Sequence, residues 1–228
     1  MANRPAPVIA IDGPSASGKG TVAQRVAQHL GFHYLDSGAL YRLVALAALA
    51  AGVGLDDEAA LVRLVNMLDI RFKGENIYLD QKVVTDAIRE ERVGAGASRV
   101  ASLPALRRAL LVRQHGFRQP PGLVADGRDM GSVVFPDATL KIYLTADAGE
   151  RARRRYKQLI EKGMGANMAA LLRDILERDE RDSSRAVAPL QKGDDASLLD
   201  TTGLTIDAVV EQVLALYAAM QAATKQVP

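Results

Sequence analysis

The sequence predicts an α/β fold: a five-stranded parallel sheet with helices on both faces, a small antiparallel β-containing insert and an arginine-rich lid. Three observations predict it. Short apolar runs at 8–11, 32–35, 123–125, 140–144 and 198–200 alternate with longer stretches of helical periodicity, the pattern of strands joined by crossover helices. The first run is apolar without interruption, as suits a strand covered on both faces. Residues 70–84 break the alternation with short two-residue-period runs, as an antiparallel meander does.

Each element has its own justification. The strand at 8–11 stops at Gly13, and the helix at 21–30 carries Val22, Val26 and Leu30 on one stripe before Gly31 ends it. The second strand, 32–35, leads into a helix at 39–51 closed by Gly52. Asp56-Asp57-Glu58 is an acidic first turn for a helix reaching about residue 68. Three short strands follow at 70–72, 77–79 and 82–84, with turns at 74–76 and 80–81. Helices resume at 93–102 and 104–118, and Pro120-Pro121-Gly122 breaks the chain before the third core strand. After the fourth strand come helices at 148–162 and 168–181, with a turn at 163–167 between them. The last helix runs from 205 to about 225, with Ile206, Val209, Val210, Val213, Leu214 and Tyr217 on one face. These elements make a single domain over 1–228, with a core of about 6–65, 97–150 and 186–228, an insert of about 66–96 and a lid of about 151–185.

Composition narrows the function classes. Hydrophobic residues make up 48% and charged residues 25% of 228 residues, ordinary for a globular chain. The net charge of +2 gives no whole-chain argument for nucleic acid or membrane binding. The absence of cysteine excludes disulfides, thiolate metal sites and a cysteine nucleophile. No apolar leader precedes the first strand, and no uninterrupted apolar stretch reaches the ~18 residues of a membrane span. A cytoplasmic location is expected. His29, His33 and His115 have no partner spacing and read as structural or surface residues.

The chemistry concentrates at the carboxyl ends of the strands, where ligands bind in such sheets. Gly13-Pro14-Ser15-Ala16-Ser17-Gly18-Lys19-Gly20-Thr21 lies between the first strand and the first helix, the setting of a P-loop NTPase phosphate-binding loop. Gly13 and Gly18 permit a turn whose N–H groups face an anion. The helix start adds its dipole, and Lys19 adds a full charge for the outer phosphates. The strict motif has Ser or Thr directly after the lysine. Here Gly20 stands there, and Thr21 is the expected Mg²⁺ hydroxyl.

The second strand is followed by Asp36-Ser37-Gly38-Ala39-Leu40-Tyr41-Arg42, and the third by Asp126-Gly127-Arg128-Asp129-Met130-Gly131. Asp36-Ser37 could be a helix cap alone. A turn has no need of an arginine between two aspartates. Arg151, Arg153, Arg154 and Arg155 cluster on one helix, and Arg178, Arg181 and Arg185 recur on the next. They could form a solvated face paired with Glu177, Asp179, Glu180 and Asp182. Yet only Lys157 and Lys162 appear in 151–185, and Arg is the better fit to phosphate oxygens. Gly163 and Gly165 between the two sets suit a hinged lid.

Taken together, these motifs, with Arg178-Asp179-Glu180-Arg181-Asp182-Ser183-Ser184-Arg185-Ala186-Val187, closely resemble the bacterial cytidylate kinases from about residue 8 to 200. Nucleoside monophosphate kinases of this type carry the shifted Gly20-Thr21 pair. The resemblance implies ATP + CMP (or dCMP) → ADP + CDP (or dCDP) with Mg²⁺. It implies ATP binding by Gly13 to Thr21 and Arg154, with Arg155 as a further lid arginine. Ser37, Arg42 and Arg128 would hold the acceptor phosphate, and Ser98, Arg107 and Asp129 the cytosine edge. Tyr41 would line that pocket, Arg178 and Asp182 would contact the sugar, and Arg185 the phosphates. Lys19, Arg128, Arg178 and Arg185 would be catalytic. Thr21 would hold Mg²⁺, with Asp36 and Asp126 acting through water or orienting Arg42 and Arg128. A phosphate acceptor is already anionic and needs no general base. A monomer is expected, with ATP and CMP or dCMP as partners and neither nucleic acid nor membrane. Alternatives are a P-loop kinase for another monophosphate or a hydroxylated metabolite, and a regulatory nucleotide switch. No Asn-Lys-x-Asp guanine motif supports the switch, and Tyr156 alone offers little stacking for RNA.

Overall fold

The structure, a computed structural model, describes residues 5–73, 76–161 and 163–225. Gly74 and Glu75 of the expected turn, and Lys162, lie outside the described residues. In chain order the elements are β1 (Val8–Asp12), α1 (Lys19–Leu30), β2 (His33–Asp36), α2 (Ser37–Ala51), α3 (Glu58–Met67), β3 (Ile70–Lys73), β4 (Asn76–Leu79), β5 (Lys82–Val83), α4 (Glu91–Val100), α5 (Pro104–Gly116), β6 (Leu123–Gly127), β7 (Leu140–Thr145), α6 (Ala148–Glu161), α7 (Met168–Ser183), β8 (Ser197–Asp200) and α8 (Ile206–Lys225). The chain divides into two compact units, Met1–Leu35 with Gly116–Pro228, and Asp36–His115.

The first unit is built on a five-stranded parallel sheet in the order β2-β6-β1-β7-β8. Every residue of the central strand β1 is buried, which is why its sequence does not alternate. Ile9, Ile11, Val124, Ile142 and Leu144 pack with Val22, Val26, Val209, Val213 and Tyr217 in one cluster, so α1 and α8 cover the same face. Burying each large aliphatic side chain is worth about 1.5–3 kcal/mol. The 206–223 stretch of α8 has the length and mean hydropathy of a membrane span. Its apolar stripe is instead committed to this core, and Asp207 and Glu211 interrupt it.

β6 runs two residues past the expected end at 125. Its ladder with β1 continues through Ile11–Asp126 and Asp12–Gly127, so strand pairing overrides the low strand preference of Asp and Gly. The next turn, Met130–Val134, is wide: Val134 and Phe135 donate to the carbonyls of Asp129 and Met130, five residues back. α6 and α7 form a helical hairpin whose loop includes Gly163 at φ 71°.

In the second unit, β3, β4 and β5 form a three-stranded antiparallel sheet. Ile70, Phe72, Ile77 and Leu79 pack beside Ala39 and Leu43 of α2 and Ile88 of a short 3₁₀ turn, Ala87–Arg89. The two-residue period of that segment places one face of the sheet on α2. α3 begins at Glu58 because Asp57 caps it, accepting from the Ala60 N–H at 2.9 Å. The 66–96 segment lies within this unit together with α2, α3 and α5.

Ile142 is 1% exposed at the centre of the first unit's core. Ile142→Ala is expected to destabilise that unit by about 2–5 kcal/mol, read as a lower urea midpoint.

Candidate active site

Between β1 and α1 the chain makes the phosphate-loop turn. A Cβ on Gly13 would lie 2.0 Å from the Leu144 carbonyl oxygen, so only glycine lets the loop leave β1 against β7. Ala16 stands in the left-handed region at φ 57°, a conformation alanine holds only when its surroundings impose it. Lys19 Nζ and Ser17 Oγ both donate to the Pro14 carbonyl at 3.0 Å. Gly18 begins α1 without a side-chain cap, which leaves the first-turn N–H groups suited to an anion. The Ser15 hydroxyl is buried with no hydrogen-bond partner among the described residues. A buried hydroxyl in that state suits a ligand oxygen.

The departure at Gly20 has a structural reason. A Cβ there would lie 3.1 Å from Asp126 Oδ2, which also accepts from the Tyr34 hydroxyl at 3.2 Å. The missing side chain lets the buried Asp126 carboxylate approach the helix start at Gly20. A carboxylate brought to a phosphate loop is an oxygen donor that fits a hydrated Mg²⁺; Thr21, one residue on from Gly20, is exposed.

Two arginines of α6 hold the loop from behind. Arg151, 5% exposed, donates to Ser15 O at 3.2 Å, Ala146 O at 2.9 Å and Asp179 Oδ2 at 2.6 Å. Arg154 donates to Ser17 O at 3.2 Å, to Thr201 Oγ1 and O at 3.0 and 2.7 Å, and to Glu150 at 3.1 Å. Among the described residues, Arg153 makes only an exposed pair with Glu150. Arg181 likewise pairs with Glu177 at the surface at 3.8 Å, an arrangement worth little. Those two fit the solvated-face alternative. His33 is also a surface residue, within 3.0 Å of the Pro120 carbonyl.

The same unit gathers Arg128, Asp182 and Arg185. Asp182 is 1% exposed; its carboxylate takes Arg128 Nε at 2.7 Å on one oxygen and Arg185 on the other. Burial is the largest single effect on this acid and pushes its pKa up. The combined charges of Arg128, Arg185 and Arg178 outweigh it and hold the group below the ordinary value. Asp129 is buried one residue on from Arg128.

In the second unit, the Asp36 side chain accepts from the Ala39 N–H at 2.9 Å, so it does cap α2. Ser37 is buried and accepts from Gln114 Nε2 at 2.9 Å. Arg42 donates to the Ile88 carbonyl at 2.7 Å and lies against Gly94. The Arg107 guanidinium stands over the Tyr41 ring at 5.9 Å and donates to Ala101 O at 3.2 Å, and Ser98 is buried on α4. The expected acceptor residues therefore fall into two groups. Ser37, Tyr41, Arg42, Ser98 and Arg107 belong to one unit; Arg128, Asp129, Arg178, Asp182 and Arg185 belong to the other.

Sequence reasoning passed over two residues. Gln114 is 1% exposed and holds Ser37; nothing in its neighbourhood marks it. Asp12 accepts the N–H groups of Met130 and Gly131 at 2.8 and 2.9 Å. An acid ending an otherwise apolar strand was a signal that could have found it. Its pKa is raised to about 6, chiefly by burial, against the pull of those two hydrogen bonds; Asp129 adds to the rise and Arg128 opposes it.

A parallel sheet with a phosphate loop after its first strand and an arginine-rich helical hairpin defines a P-loop phosphotransferase. The family model described as Cytidylate kinase matches residues 9–219. A cytidylate kinase from Nitrosomonas eutropha is 61% identical over 96% of this chain and 97% of its own length. One from Bordetella pertussis is 60% identical over 94% and 96%. This chain belongs to the cytidylate kinase family. An uncharacterized protein from Eubacterium ventriosum of solved structure shares the fold at a TM-score of 0.50 and 10% identity, covering 93% of this chain and 98% of that one.

Because Asp12 takes its proton near pH 6 when folded and near 3.8 when unfolded, the folded state binds that proton first. Its contribution to stability is full below the unfolded value and is lost as pH rises through about 6. Wild type should therefore gain about 1 kcal/mol on Asp12→Asn between pH 7 and pH 5, measured by urea unfolding at both pH values. An unchanged difference would mean that the acid does not titrate there.

Proposed function

We infer that this chain transfers the terminal phosphoryl group of ATP to CMP and dCMP, giving CDP and dCDP. The observation that carries the reading is the family match across 9–219, which takes in the phosphate loop and the Arg128–Asp182–Arg185 cluster together. Phosphoryl transfer asks for positioning and charge neutralisation rather than covalent help. The chain's inventory suits that demand: Lys19 at the loop, and arginines fixed in place by buried carboxylates.

On this reading, residues 13–21 cradle the ATP phosphates, with the buried Ser15 hydroxyl among the donors, and Lys19 meets the outer phosphates. Arg154 adds positive charge close behind Ser17. Ser37, Arg42 and Arg128 hold the acceptor phosphate, and Ser98, Arg107 and Asp129 read the cytosine edge above Tyr41. Arg178 and Asp182 orient the sugar, and Arg185 faces the phosphates. Lys19, Arg128, Arg178 and Arg185 neutralise charge as it moves between donor and acceptor. Thr21 would hold Mg²⁺ directly, with Asp36 and Asp126 acting through water. When bound, the ion supplies charge neutralisation on the ATP phosphates. The hairpin of α6 and α7 acts as a lid over about 151–185 that excludes water, and the insert of about 66–96 belongs to the monophosphate side. The enzyme acts as a monomer in the cytoplasm, with neither nucleic acid nor membrane as a partner.

ADP release should be stimulated by CMP and dCMP when AMP, CMP, dCMP, UMP, GMP and dTMP are offered separately with ATP and Mg²⁺. Release indifferent to every monophosphate would overturn the reading and favour a nucleotide switch. Asp129→Ala should raise KM for CMP by at least about tenfold while leaving KM for ATP within twofold, as loss of a hydrogen bond to a charged group requires. An equal rise for both would remove Asp129 from the base pocket.

A further inference from the structure

A carboxylate buried in a strand end needs partners for its charge. Among the described residues no ion pair forms on Asp12. Both of its oxygens accept backbone N–H groups instead, Oδ1 from Met130 and Oδ2 from Gly131. The cavity beside it, bounded by Lys141, Tyr143 and Asp195, measures about 20 Å³, space for a single water rather than a ligand. The acid therefore serves the protein's own backbone.

What it holds is informative. Asp12 itself is fixed by the sheet, paired with Gly127 on β6 and Tyr143 on β7. Gly127 is the last rung of β6, and Met130 is the next point of attachment. Only Arg128 and Asp129 lie between, so both are pinned from the sheet side and from the turn side. The wide turn adds its own restraint, since Val133 and Val134 both donate to the Asp129 carbonyl.

We propose that Asp12 is a positioning residue for the acceptor half of the reaction, its carboxylate clamping the Met130 and Gly131 amides so that Arg128 and Asp129 are presented in one geometry. The proposal rests on the reading of Arg128 and Asp129 as acceptor residues. Asp12 immediately precedes Gly13, so a support role for the ATP loop is the competing account, and the two differ in which substrate suffers. Loss of one charged acceptor oxygen is worth about a factor of ten.

The experiment is steady-state kinetics of Asp12→Asn, Asp129→Ala and the double variant, with KM for CMP and for ATP and kcat measured separately. Asp12→Asn is expected to raise KM for CMP about tenfold and to lower kcat, since the clamp also presents Arg128, with KM for ATP changed less than about threefold. In the Asp129→Ala background the same substitution should add much less, because its effect runs through the turn that Asp129 occupies. A rise in KM for ATP equal to that for CMP, full additivity in the double variant, or no change in KM for CMP would overturn the proposal. If Asp129→Ala itself leaves KM for CMP unaltered, the acceptor reading fails and the proposal falls with it. If only Asp12→Asn is silent, the proposal fails alone. Should the Asn variant not fold, hydrogen exchange of the wild type decides: Met130 and Gly131 amides as slow as those of β1 support the clamp, and rapid exchange overturns it.

Discussion

Phosphoryl transfer between two nucleotides brings one anion against another, and the cations that relieve this repulsion repel each other in turn. In this chain the second problem is met by carboxylates. Asp182 sits between Arg128 and Arg185, Asp179 receives Arg151, and Glu150 receives Arg154. These four guanidinium groups are thereby held in place by carboxylates. That is the preorganisation on which electrostatic catalysis depends. The lowered pKa of Asp182 is its signature: burial alone would push the acid toward neutrality, and three arginines keep it charged.

The same economy of charge shapes the backbone. The loop after β1 can serve an anion only if its N–H groups and the start of α1 converge on one point. Convergence requires the loop to press on β7 at Gly13, to turn left-handed at Ala16 and to leave room for Asp126 at Gly20. Arg151 and Arg154 then brace the loop's outward carbonyls. The loop's geometry therefore depends on side chains from α6, 136 residues along the chain. The arginine-rich helix thus gives structure to the loop after β1.

Asp12 and Asp126 occupy neighbouring central strands, at their carboxyl ends, with different employment. Asp126 approaches the start of α1 through the gap at Gly20. Asp12 clamps the turn that follows β6. One sheet end therefore meets both the start of α1 and the turn after β6.

The sequence by itself determined the sheet and its crossovers, the antiparallel insert, the phosphate loop and the family, because these rest on local signals: apolar runs, two-residue alternation, glycine at forced backbone positions and motifs contiguous in the chain. It also marked the arginines of α6 and α7 as a cluster. Which of them are braces and which are surface charge was not legible. Arg151 and Arg153 look alike in sequence, yet one is buried against Ser15 and Asp179 while the other pairs with Glu150 in solvent. The partner of Gln114 was hidden entirely, and Asp12 was marked only by its place at a strand end. Each acts on a partner more than 70 residues away, and such a partner exists only once the strands and helices have packed. Tertiary structure alone decided these, since burial, and the hydrogen bonds that burial demands, are properties of what surrounds a residue rather than of the residue itself.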